Sequence, residues 1–166
     1  MNRVSAPILA AITLAAGLFS GNASAALEIE RNVSIRDDGG GTLTLITTAS
    51  RDAVGGSGMT TATFNGFQPR SAGRIVDGEI VRERERTADV AATVYHGVLE
   101  IRVPAQASEP TRLNTIAFEN LTVTRRGDGP ELSGQIIYNG ETLDAAELPR
   151  GARRMLRKTL RFFHFA

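Results

Sequence analysis

Only two side chains in this 166-residue sequence titrate near neutrality in their ordinary state, His96 and His164. A serine or threonine nucleophile would need one of them as its base. His96 precedes Gly97 between two runs of strand-forming residues. That wording reads as a hairpin tip, which has no walls to keep water from a reacting bond. His164 stands in the terminal Phe163-His164-Phe165-Ala166 segment, and no Gly-x-Ser-x-Gly nucleophile turn occurs. Nucleophilic catalysis is not expected.

Carboxylates are plentiful, with 18 Asp and Glu residues. Some two of them will approach one another in any fold, so their number nominates no acid–base pair. Few aromatics are available as stacking platforms for sugars. Asp37-Asp38-Gly39 and Asp128-Gly129 begin like calcium loops but lack the alternating oxygen ligands and closing Glu. Both read as Asp-Gly turns. Tyr95-His96 is an exposed pair too sparse for a haem or transition-metal centre. The sequence has no cysteine, which removes thiol catalysis, redox chemistry, disulfides and Cys-ligated zinc. Gly55-Gly56-Ser57-Gly58 lacks the Lys of a phosphate loop and reads as a plain loop. No cofactor and no enzymatic activity are expected.

Charge carries more information. Between residues 26 and 149, 12 Arg face 18 acids, a balance of −6, whereas residues 150–166 hold five Arg and Lys158 with no acid, a balance of +6. Ala152, Met155, Leu156, Leu160 and Phe163 recur at spacings of three and four, and Arg153, Arg154, Arg157, Lys158 and Arg161 fall on the other side. That pattern predicts a basic amphipathic C-terminal helix over 150–166, ending in Phe162, Phe163 and Phe165. Three readings follow: it packs on the body, lies on an anionic lipid surface, or docks on an envelope protein. The candidate contact residues are Arg153, Arg154, Arg157, Lys158, Arg161, Phe162, Phe163 and Phe165. Export makes nucleic acid an unsuitable partner despite the cationic tail.

The elements that would position these groups are strands. Leu27 to Ile35 alternates apolar and polar residues, Asp37 to Gly41 turns the chain, and Thr42 to Ala49 forms a second strand. Arg51 to Gly58 reads as a loop and Met59 to Phe67 as a strand. Asp77-Gly78 and His96-Gly97 each read as a type I′ hairpin turn between short strands. Between them, Arg82-Glu83-Arg84-Glu85-Arg86 puts Arg on one strand face and Glu on the other. A protruding hairpin or solvated edge strand accommodates both charged faces. Pro104 to Pro110 is a loop, Leu113 to Arg126 is one long strand or two joined by a bulge near Glu119-Asn120, Arg125 to Pro130 is a turn, and Asn139-Gly140 closes a last hairpin. The expected fold is all-β, an antiparallel meander forming a sandwich or small barrel over residues 26–149.

Residues 1–25 complete the expectation. Met1-Asn2-Arg3 is a cationic start, Pro7 to Phe19 an uncharged, mostly apolar run, and Ala23-Ser24-Ala25 a small-x-small cleavage site. These are the parts of a secretory signal peptide, with cleavage near Ala25 and a periplasmic or secreted mature chain. The apolar run is short for a membrane span, and the mature chain is expected to have none. The aromatics of the body are too few for the two girdles of an outer-membrane barrel. The expected function is a non-catalytic exported β-protein that acts in the cell envelope by binding a partner or anionic surface. The alternatives are a carrier of a small apolar ligand in a lipocalin-like or half-open barrel and, third, a small periplasmic enzyme.

Overall fold

The computed structural model describes residues 27–52, 55–69, 73–105, 110–126 and 129–148, together with Leu156 and Leu160. Its strands are β1 (Leu27–Arg36), β2 (Thr42–Arg51), β3 (Gly56–Phe67), β4 (Ile75–Arg86), β5 (Ala91–Val103), β6 (Arg112–Arg126), β7 (Gly129–Tyr138) and β8 (Glu141–Asp144). Each is antiparallel to the next, in the order β1 to β8 within one sheet. The expected all-β meander is therefore present. β1 and β8 are the two ends of that order, so hydrogen bonding does not close the sheet. The leader lies outside the described residues, as does the 150–166 segment apart from Leu156 and Leu160, both helical in backbone.

Two turns follow from side-chain chemistry. Asp37 Oδ1 accepts from the backbone N–H groups of Gly39 at 2.8 Å and Gly41 at 3.0 Å, and Oδ2 accepts from Gln68 N–H. This carboxylate is filled by backbone donors, as in an Asx turn. At the last hairpin Asn139 and Gly140 have φ of 51° and 85°, the left-handed pair of a type I′ turn.

The other two expected hairpin turns are not turns. Asp77-Gly78 lies inside β4 and His96-Gly97 inside β5. Gly78 faces Leu99, and Gly97 faces Ile80 on one side and Phe118 on the other. Their φ values of 117° and 121° lie outside the I′ turn. A Cβ at Gly78 would collide with the Val98 carbonyl oxygen, and one at Gly97 with that of Glu79. Glycine is needed here because another strand's backbone passes close, which in a sequence looks the same as a turn. As a result β4 and β5 run for 12 and 13 residues. Arg82–Arg86 is consequently neither a protruding hairpin nor an edge: it belongs to a strand paired on both sides. The loop expected over Arg51–Gly58 is shorter, because Gly56 to Gly58 pair with β2. β6 is one strand with a bulge, where Asn120 has φ of 54°.

Period-two alternation puts Val33, Leu43, Leu45, Ala62, Phe64, Ile80, Leu99, Ile116, Phe118 and Ile136 on a common face, and all are buried. The β3 bulge keeps Phe64 and Phe67 together on it, ring centroids 6.2 Å apart and planes tilted by 57°. Leu43, Leu45, Ile80, Leu99 and Leu121 retain 1 % exposure or less. Among the described residues no second sheet covers them, so the sheet must curl over its own inner face. Leu148 and Leu156 complete the cluster, with Leu160 packed against it.

Candidate functional site

The inner face changes character along the strands. Near the 37–41 turn and the Asn139-Gly140 hairpin it is aliphatic and aromatic. Towards the other rim the register sets Arg31, Thr47, Thr60, Arg82 and Tyr95 side by side across β1 to β5. One pleat further out stand Ile29, Ala49, Gly58, Arg84, Thr93 and Val123, and beyond them Arg51, Arg86 and Arg125. Among the described strand residues no carboxylate falls on this half of the inner face. Glu28, Glu30, Glu79, Glu83, Glu85 and Glu100 all occupy the opposite pleat, on the outer face. On this half of the sheet strand periodicity has sorted charge by face, arginine inside and carboxylate outside.

Thr60 anchors the polar row. It is the one buried polar residue of the described core, at 1 % exposure. Its Oγ1 accepts from Arg82 Nη2 at 3.0 Å and lies 3.1 Å from Thr47 Oγ1. Burial pushes the Arg82 guanidinium below its ordinary value; the nearby Tyr95 works against that shift and Arg84 adds to it. Burial pushes the Tyr95 phenol up, opposed by the positive charges of Arg82, Arg125 and Arg84. Three guanidinium groups therefore stand within electrostatic range of one phenol, which keeps its proton and remains a donor. Arg31 Nε is buried with no hydrogen-bond partner among the described residues. An unmade bond of that kind costs about 1–3 kcal/mol unless something else accepts it.

Chemically, this surface consists largely of donors. Guanidinium groups have no acceptor capacity, and none of the described strand carboxylates shares their face on this half of the sheet. An anion is the complementary partner. Aliphatic surface lies among the charges as well, for Ile29 and Leu27 on the same pleat are 39 % and 54 % exposed.

The residues singled out from sequence fare differently. Arg153, Arg154, Arg157, Lys158, Arg161, Phe162, Phe163 and Phe165 lie outside the described residues, as do His164 and Asp128. Tyr95 and His96 do not form a pair, because successive strand residues point to opposite faces. His96 is on the outer face, its Nε2 3.9 Å from Glu83 Oε1, with both side chains well exposed. With a protonated imidazole, that contact is a weak surface ion pair. Among the described residues no three His, Asp or Glu side chains converge as metal ligands.

Arg31, Thr60, Arg82, Arg84 and Arg125 were not singled out as site residues from sequence, and Tyr95 was considered only as a partner of His96. A usable signal existed in the phase of the alternation: Ile80, Arg82, Arg84 and Arg86 share one parity, as do Arg31, Val33 and Ile35. An arginine in phase with core residues belongs to the core face.

No protein-family model, curated protein or solved structure matches the chain.

Proposed function

We propose that the chain is an exported, non-catalytic β-protein of the cell envelope that works by binding an anionic partner. The observation that carries this reading is the sorting of charge: arginines without carboxylates on the rim half of the inner face, and carboxylates on the outer face. The leader-like residues 1–25 support export, and the cationic 150–166 segment adds charge of the same sign. In this reading the sheet is a half-open barrel, stoppered at its apolar end by the terminal segment as an amphipathic helix. Packing of Leu156 and Leu160 against the core supports that placement. The apolar-carrier alternative gains nothing from the interior, since side chains lining a ligand-sized void would keep accessible surface, and Leu43, Ile80 and Leu99 keep 1 % or less.

Co-sedimentation of the mature chain with anionic and with zwitterionic vesicles tests the reading. Removing residues 150–166 would uncover the core around Leu156, so the tail is better neutralised by changing Arg153, Arg154, Arg157, Lys158 and Arg161 to Gln. The expected result is retention on anionic vesicles alone, weakened by salt. Equal behaviour with both vesicle types would contradict it.

A further inference from the structure

We propose that Arg84 and Arg125, with Arg82 and Tyr95 beside them on the inner face, form a binding site for a compact phosphate-type oxyanion carrying more than one negative charge. The inference rests on the anion-binding reading above and assigns it a place and a ligand class.

The ligand class follows from geometry. Neighbouring strands lie about 4.8 Å apart, and residues two positions apart on a strand about 6.8 Å. Arg82 pairs directly with Tyr95, Arg84 stands one pleat further along the same strand, and the charges of Arg82, Arg84 and Arg125 all act on the Tyr95 phenol. A single carboxylate offers two oxygens in one plane and is filled by one arginine fork. Several guanidiniums in this lattice call for an acceptor with more oxygens, more charge and no preferred plane. A phosphate monoester or diphosphate group meets all three requirements. The Tyr95 phenol, which keeps its proton, stands on the same surface beside Arg82.

Place matters as much as composition. Both faces of β4 are charged, yet its arginines point inward, where Arg82 is partly desolvated by the row it joins. Coulombic attraction strengthens as water is removed, so the half-buried Arg82 is worth more to a ligand than a cation on the exposed outer face. The outer carboxylates repel the same ligand from the rest of the sheet.

The decisive experiment is isothermal titration of the mature chain with pyrophosphate, beside co-sedimentation with vesicles containing phosphatidic acid. Arg84 and Arg125 are exposed, so R84Q/R125Q should fold, as circular dichroism can verify. R102Q, on the outer face, is the charge-matched control, and the tail-neutralised chain is the third variant. The proposal expects saturable binding, weakened at least about tenfold by R84Q/R125Q and little changed by R102Q. The same dependence seen on vesicles, with pyrophosphate bound only weakly, identifies the phosphate as a lipid headgroup. Anion binding that survives R84Q/R125Q and disappears only when the tail is neutralised overturns this site and leaves the general reading standing. Binding to no anionic probe overturns both.

Discussion

Arg82 Nη2 donates a 3.0 Å hydrogen bond to the Oγ1 of Thr60, a fully buried residue one strand away on the same face. A cation on the core side of a central strand is thereby tied into the sheet. The bond ties the aliphatic half of the inner face to the arginine half, since Thr60 pairs sideways with Thr47 and stands one pleat from Ala62.

Thr60→Val keeps the shape of the side chain and removes its oxygen. Thr47 loses one partner and Arg82 another, which should cost about 1–3 kcal/mol in urea unfolding. Thr60→Ser, which keeps the hydroxyl, should lose less. Equal stability of Thr60→Val and the parent chain would mean that the bond contributes nothing.

Gly97 and Gly140 both have positive φ but should respond differently to alanine. At Gly97 the new Cβ meets the Glu79 carbonyl oxygen, whereas at Gly140 nothing stands within 4 Å. Gly97→Ala should cost about 3 kcal/mol or more. Gly140→Ala should cost only about 1–2 kcal/mol, for the left-handed backbone. Thermal melts of the two variants decide it, and a similar loss in both would count against the close approach of β4 and β5.

Most of the topology was readable from alternation and turn residues, and the exceptions have a common cause. Asn139-Gly140 and Asp37 to Gly41 announced turns and made them. Asp77-Gly78 and His96-Gly97 carried the same short-range signature, but their glycines answer to a neighbouring strand that no local window contains. Losing those two turns joined Arg82–Arg86 to a core strand, and with it the candidate site moved from the C-terminal segment to the inner face. The residues were visible; their facing partners were not. Arg31 and Thr47 are far from Arg82 and Tyr95 in sequence, and only the register sets them in one row.

Leu156 is buried in the core cluster, so the terminal segment is part of the architecture at that point. Leu156→Ala should cost about 2–5 kcal/mol, and Leu160→Ala, at a half-buried position, less. Chemical denaturation of both variants checks the order. A neutral Leu156→Ala would show that the segment adds nothing to the fold.

The Tyr95 phenol gives a pH signature. An unfolded tyrosine releases its proton near pH 10, and burial holds the folded one to higher pH. Above pH 10 the folded chain therefore binds more protons than the unfolded chain, and its stability falls as pH rises. The contribution is fully in place below pH 10. Melting temperatures between pH 8 and 11 should decline in the parent chain and decline less in Tyr95→Phe. Parallel curves would remove Tyr95 from the account.

The sequence has two tyrosines and no tryptophan, so Tyr138→Phe leaves Tyr95 as the sole tyrosine emitter. Fluorescence of that variant during addition of pyrophosphate reports from beside Arg82 and Arg84. A saturable change that high salt abolishes, and that R84Q/R125Q removes, is the expected result. Emission that stays flat while the anion binds elsewhere on the molecule would contradict an inner-face site.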